Sequence, residues 1–112
     1  MMKKILLVTL LISPFFIEAG ELIQGATLIE VANTNNNGPD FAIIVEGGTG
    51  TGVCSSSSNK AITFPEAKKQ SDDSYKQSFA IALAAVTTGM KVRVHNFDDF
   101  DCGGANFISI SK

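Results

Sequence analysis

The first nineteen residues decide how much chain is left to fold. Met1-Met2-Lys3-Lys4 is a short basic head, Ile5 to Ile12 is an apolar run, and Ser13-Pro14 leads into a second apolar patch, Phe15 to Ile17, before Glu18-Ala19-Gly20. A basic head, a short apolar stretch and a small residue at the junction are the layout of a secretory signal. The apolar run is too short and too interrupted to span a bilayer as a helix. Cleavage after Ala19 is expected. Residues 1–19 therefore read as a signal peptide and residues 20–112 as one small domain, secreted or periplasmic. No cysteine stands at the junction to take a lipid anchor, and no later stretch approaches a membrane span.

About 93 residues remain, which is one domain. A domain of that size buries only about 60–65% of the surface its unfolded chain exposes, so its margin of stability is thin. Its two cysteines, Cys54 and Cys102, are an even count in an oxidising compartment and are expected to form one disulfide. Closing a loop of about fifty residues contributes about 4 kcal/mol on the chain-entropy model. Without Lys3, Lys4 and Glu18 the net charge is about −3. That balance offers neither the clustered basic face that nucleic acid requires nor a polybasic membrane patch.

Leu22 to Val31 reads as a strand, the run from Ala32 to Asp40 as a turn, and Phe41 to Val45 as a second strand forming a hairpin with the first. Gly47 to Gly52 reads as a flexible turn. Val53-Cys54-Ser55 and Ala61 to Phe64 read as short extended pieces, and Pro65 to Lys69 as one helical turn with proline in its first turn. The clearest element is a helix over Asp72 to Thr88, capped by Ser71 and stopped by Gly89, with Asp72 and Asp73 at its positive end. Tyr75, Phe79, Ala82, Leu83 and Val86 recur at helical spacing, so Phe79 and Leu83 are expected in the core and Lys76 and Gln77 in solvent. Ile81 on a second face raises an oligomer as an alternative. Lys91 to Phe97 alternates, with Val92 and Val94 on one face and Lys91, Arg93 and His95 on the other. It pairs with a last strand over Ala105 to Ser111. The expected fold is α+β: a small antiparallel sheet, or a five-stranded oligonucleotide/oligosaccharide-binding-like (OB-like) barrel, with one helix between strands three and four and one disulfide.

Candidate sites are few. Gly48 to Gly52 lacks the glycine spacing of a dinucleotide loop, and no Gly-Lys-Ser/Thr occurs. Cys54 with His95 resembles a thiol and base in composition only, since Cys102 is available to close the disulfide. His95 is the only histidine and reads as an ordinary surface residue; Gly-x-Ser-x-Gly is absent. Asp98-Asp99-Phe100-Asp101 is the densest acidic run, yet it lacks the spacing of a calcium loop and reads as a solvated hairpin loop. Ser55, Ser56 and Asn59, in the polar run that reaches Lys60, are the candidates for contacts to a ligand. No catalytic residue, metal ligand or cofactor is expected.

Gly20 to Leu28, Ile62-Thr63-Phe64-Pro65 and Thr88 to Val94 resemble a family of small secreted proteobacterial proteins that is a domain of unknown function. That resemblance covers the whole mature chain and implies no activity. Thr88-Gly89-Met90-Lys91-Val92-Arg93-Val94 following a helix is also similar to the helix-to-strand junction of the pentameric B subunits of bacterial AB-type toxins. That second resemblance implies an oligosaccharide-binding fold with one disulfide whose oligomers bind glycans, and it places no sugar-binding residue on this chain. The expected function is a secreted, non-enzymatic binding or interaction module for a protein or glycan. The alternative is a toxin-B-like glycan-binding homo-oligomer, followed by a small secreted hydrolase.

Overall fold

The computed structural model describes residues 20–34, 38–49, 60–99 and 101–112. The signal segment, Cys54, Ser55, Ser56 and Asn59 lie outside the described residues. Five strands, β1 (Glu21–Asn33), β2 (Phe41–Glu46), β3 (Lys60–Phe64), β4 (Lys91–His95) and β5 (Phe107–Ser111), form one antiparallel sheet in the order β3-β2-β1-β4-β5. The helix α1 (Asp72–Thr88) connects β3 to β4, preceded by a 3-10 turn over Glu66–Lys68. The α+β class and the helix between strands three and four are as expected. Of the two expected forms, the open sheet is the one observed. Among the described residues the edge strands β3 and β5 share no ladder, and a main-chain hydrogen bond, Ala105 N–H to the Thr63 carbonyl at 3.0 Å, links the two sides.

β1 is long because it serves two partners. Its second half pairs with β2 from Thr27 to Asn33, and its first half pairs with β4 from Glu21 to Ala26. The register shifts between Glu21 and Ile23, between Gln24 and Ala26, and between Leu28 and Glu30. Such irregularities bend a strand and increase its twist. They also break the period of two, so the neighbours Leu22 and Ile23 are both fully buried. Gly47 to Thr49 is no loose turn. Thr49 exchanges two main-chain hydrogen bonds with Gln24, at 2.6 and 2.8 Å, and Gly48 lies against β1 with φ +86°. A Cβ there would stand 2.9 Å from both the Ala26 Cβ and the Gln24 carbonyl, so only glycine fits.

The other strands keep the alternation. Phe41, Ile43 and Val45 of β2, Ile62 and Phe64 of β3, Val92 and Val94 of β4, and Ile108 of β5 point into the core. Lys91 and Arg93 face solvent, as the pattern predicts. His95 departs from expectation. It is half-buried, with its ring tilted on Phe97 at 5.2 Å and edge-on to Phe107 at 5.5 Å.

The helix ends follow local chemistry. Ser71 Oγ accepts the Ser74 N–H at 3.0 Å, and Gly89, at φ 76°, donates its N–H to Ala85 in a left-handed stop. The buried face differs from the expected one. Ser78, Ala82 and Ala85 are the buried residues, flanked by half-buried Tyr75, Ile81 and Val86. Phe79 and Leu83 are 41% and 44% exposed, which corrects their assignment to the core; Lys76 and Gln77 are exposed as expected. At 100° per residue, the arc centred on Ser78, Ala82 and Ala85 leaves Phe79 about 100° away and Leu83 further still. The small residues let the helix axis approach the sheet closely, and longer side chains on that arc would hold it off.

Two variants test this docking in denaturant melts. Ala82→Leu overpacks the helix–sheet contact and is expected to cost about 1–3 kcal/mol. Phe79→Ala is expected to cost about 1 kcal/mol, below the roughly 3–5 kcal/mol of a buried phenylalanine. The reverse order of the two would show that the helix buries its large residues after all.

Candidate functional site

At one end of the sheet four rings meet. Phe41 opens β2 and Phe64 closes β3; they are register partners and stack with centroids 4.6 Å apart. Tyr75, from the first turn of α1, tilts against Phe41 at 5.6 Å, and Phe79, one turn on, meets Phe41 edge-on at 5.1 Å. Offset and edge-on rings at these spacings attract one another beyond the area they bury. Beside them is an open groove of about 470 Å³, with Pro39, Phe41, Tyr75 and Phe79 as its apolar wall and Asp72 and Lys76 among the charged residues on its rim.

The polar groups at this end hold the fold together. The Tyr75 hydroxyl donates to the Phe64 carbonyl at 2.6 Å and also lies 3.1 Å from the Pro39 carbonyl. One phenolic hydrogen thus bridges the first hairpin's loop and the end of β3 from the helix. Asp40 Oδ1 accepts the Glu66 N–H at 2.9 Å and anchors the 3-10 turn. Lys69 pairs with Glu66 and, at 3.3 Å, with Asp72. The Glu66 carboxylate first, and Asp72 second, hold the Lys69 ammonium in its charged form above the usual lysine range. Burial raises the Tyr75 phenol above its ordinary value near 10, and the negative charge of Asp40 raises it further. The result is an apolar platform whose neighbouring acids, amine and phenol are engaged in structural contacts.

The acidic loop also serves the fold. Asn96 is fully buried and sits at its centre. Its Nδ2 donates to Asp99 Oδ1 at 2.6 Å and to the Asp101 carbonyl at 3.0 Å, while its Oδ1 accepts the N–H groups of Asp98 and Asp99. Asp99 Oδ1 accepts the Asp101 N–H, and Asp101 Oδ1 accepts the Gly103 N–H, both at 2.9 Å. The Asp101 N–H, with the Asn96 amide, keeps the Asp99 carboxyl below the usual carboxylate range. Gly104 packs so tightly here that a Cβ would stand 2.9 Å from Asn96 Nδ2. Asn106 completes the network: its Oδ1 accepts the Phe97 N–H at 3.1 Å and its Nδ2 donates to the Lys68 carbonyl at 3.2 Å. The carboxylates Asp99 and Asp101 therefore tie main chain. Among the described residues, no group of three or more His, Cys, Asp or Glu is placed to share a metal ion.

Cys102 lies in a 3-10 turn, Cys102–Gly104, half-buried against the core, and no cysteine among the described residues is free. Its expected partner Cys54 and the ligand candidates Ser55, Ser56 and Asn59 are outside the described residues, so the groove shares no residue with those candidates. Helical periodicity assigned Phe79 to the core and so hid the groove. The signal available in the sequence was the recurrence of aromatic residues at three junctions: the start of β2, the end of β3 and the first turns of α1.

Fold and groove together define a small α+β domain, an open five-stranded antiparallel sheet with one helix across it and an aromatic cleft at one end. The model of a family of unknown function (DUF5992) matches residues 2–112, and the chain belongs to that family. No curated protein and no solved structure matches it. Among the described residues, no helix is long and apolar enough to cross a membrane.

Tyr75 is the only tyrosine of the chain, so tyrosinate absorbance reads it alone. Its titration is expected above the value near 10 of an unfolded phenol. A raised acid is held neutral by the fold. The stability it contributes is complete below the unfolded value and is lost as pH rises through the folded one. Tyr75→Phe is expected to cost about 0.5–1.5 kcal/mol near neutral pH and to remove that alkaline loss. A folded-state titration at or below the denatured value would contradict the bridging hydroxyl.

Proposed function

We propose that this protein is exported, trimmed near Ala19-Gly20 and works as a non-enzymatic binding module whose contact site is the aromatic groove. The observation that carries this reading is the pairing of an apolar wall with committed polar groups. Phe41, Tyr75 and Phe79 offer ring surface, while Asp40, Glu66, Lys69 and the Tyr75 hydroxyl already serve the fold. Clefts of about 300–1,000 Å³ with mainly apolar linings are the usual form of sites that take a group of a partner. The occupant that suits this groove is an aromatic or aliphatic side chain of another protein. N-acetyl-phenylalaninamide is the direct probe. In an amide NMR titration, shifts are expected to cluster on Phe41, Tyr75 and Phe79 and to vanish in Phe79→Ser. Turnover of a chromogenic ester, anilide or glycoside that disappears in Tyr75→Phe would overturn the reading.

Export and an oxidising compartment support a Cys54–Cys102 disulfide in the same proposal. Mass spectrometry of exported protein is expected to find Gly20 at or near the N-terminus. Thiol titration of denatured, unreduced protein is expected to find none. An intact Met1 on exported protein, or two free thiols per chain, would refute the respective claim. If the bond is present, Cys54→Ser is expected to cost about 2–5 kcal/mol.

A second reading, a glycan-binding homo-oligomer, is favoured by one observation. Phe79 and Leu83 are both more than two-fifths exposed, one turn apart on the outer side of α1. An apolar pair of this kind suits burial against a second copy. Solution mass decides it: a ring-sized assembly that dissociates in Leu83→Lys supports the reading, and a monomer removes it.

A further inference from the structure

The face of the sheet turned away from α1 carries a different chemistry from the groove. β4 lies between β1 and β5, and its outward residues Lys91, Arg93 and His95 each have a register partner on one or both neighbours. Lys91 is opposite Ser111; Arg93 lies between Gln24 of β1 and Ser109 of β5; His95 lies between Glu21 and Phe107. Directly opposite residues of an antiparallel pair project to the same side with Cβ atoms about 4.5–5.5 Å apart. Alternate residues along a strand are about 6.6–6.8 Å apart. The face is therefore an ordered grid in which two cations are flanked by two hydroxyls and an amide, and the next row is aromatic. Phe97, 51% exposed, extends that row by packing on His95 and, at 5.6 Å, on Phe107. Gln24, Lys91, Arg93, Ser109, Ser111 and a third cation, Lys112, are among the residues that line a shallow depression of about 480 Å³.

Charge completes the case. Among the described residues Lys91 and Arg93 make no ion pair, so their charges are directed at solvent although the chain as a whole is acidic. The carboxylate on the grid, Glu21, lies at the aromatic end beside His95, one row from Arg93 and two from Lys91. A planar guanidinium set between an amide and a hydroxyl suits a carboxylate, which it can engage with two parallel hydrogen bonds. Even with Lys112 beside them, Lys91 and Arg93 are too few for an anionic membrane, where each cation contributes only about 1 kcal/mol, or for a duplex backbone. They match a small ligand with one or two charges. The adjacent rings require that ligand to present an apolar face within one strand repeat of its carboxylate. Sugar acids have this form: a ring with a C–H face, hydroxyls around it and a carboxylate at one corner.

We infer that the outer face of β1, β4 and β5 is a binding site for an acidic saccharide, with Arg93 and Lys91 holding its carboxylate, Gln24, Ser109 and Ser111 its hydroxyls, and Phe97 and Phe107 its ring. This site is separate from the aromatic groove and does not depend on what the groove takes. The test is an amide NMR titration of the mature protein with trigalacturonate at low salt, with neutral cellotriose and phosphatidylglycerol vesicles as the other arms. Trigalacturonate is expected to shift Gln24, Lys91, Arg93 and Ser109, with an affinity that falls as salt is added. Arg93→Gln is expected to weaken binding about tenfold or more. Phe97→Ser, at an exposed ring, is expected to weaken it several-fold while leaving the amide spectrum of the folded domain in place. Cellotriose is expected to shift nothing on this face. No shift at millimolar trigalacturonate, or binding unchanged by Arg93→Gln, overturns the site. Loss with Arg93→Gln but no change with Phe97→Ser overturns the saccharide in favour of a plain anion patch. Vesicle binding through Arg93 without trigalacturonate binding overturns it in favour of a membrane surface.

Discussion

Everything in this domain hangs on β1. It contributes to both halves of the sheet, pairing with β2 along one stretch and with β4 along another, so its hydrogen bonds join two hairpin-like units into the one sheet that backs their shared core. A straight strand with a strict period of two would serve only one plane. The register shifts turn β1 between its partners and place Leu22 and Ile23 together in the core. The tight approach of Gly48 and Thr49 to Gln24 and Ala26 reinforces the bend from the side.

The helix is the second constraint, and its closeness to the sheet follows from what it lacks. Ser78, Ala82 and Ala85 present almost no side chain, so the helix settles low and its larger residues are pushed to the flanks. That displacement has a functional consequence. Phe79, turned out of the core, becomes one wall of the groove, and Tyr75 reaches sideways to hydrogen-bond the end of β3. The aromatic cleft is thus a product of helix docking, and the same docking leaves the far face of the sheet open to solvent with its cations and rings in register.

Polar networks fix the two ends where the sheet has no ladder to hold it. Tyr75, Asp40 and Glu66 close the groove end, while Asn96, Asp99, Asp101 and Asn106 close the other. A buried asparagine whose amide donors and acceptor oxygen are all partnered specifies one loop geometry, because each alternative would leave a buried polar group unsatisfied. The link from Asn106 to the Lys68 carbonyl ties this loop to the 3-10 turn before the helix, so the two ends are joined through the same short segment.

The sequence by itself determined the elements whose causes are local. The bounds of α1 follow from Ser71 and Gly89, the alternation of β4 from Val92 and Val94 against Lys91 and Arg93, and the 3-10 turn from Pro65; each depends on residues within a few positions. The α+β class and the place of the helix between strands three and four follow from the order of those elements. What only the tertiary structure decided involves distances between parts far apart in the chain. Periodicity identified an apolar stripe on α1, yet the rotation of the helix was set by how closely its small residues could approach the sheet. Alternation placed His95 on the outer face, yet its burial depended on Phe107, a cross-strand partner, and on Phe97. The groove and the polar grid were invisible for the same reason: each is assembled across strands by register, and register is set by which long-range packing leaves the fewest voids and unpaired polar groups, a property of the whole domain that no local window contains.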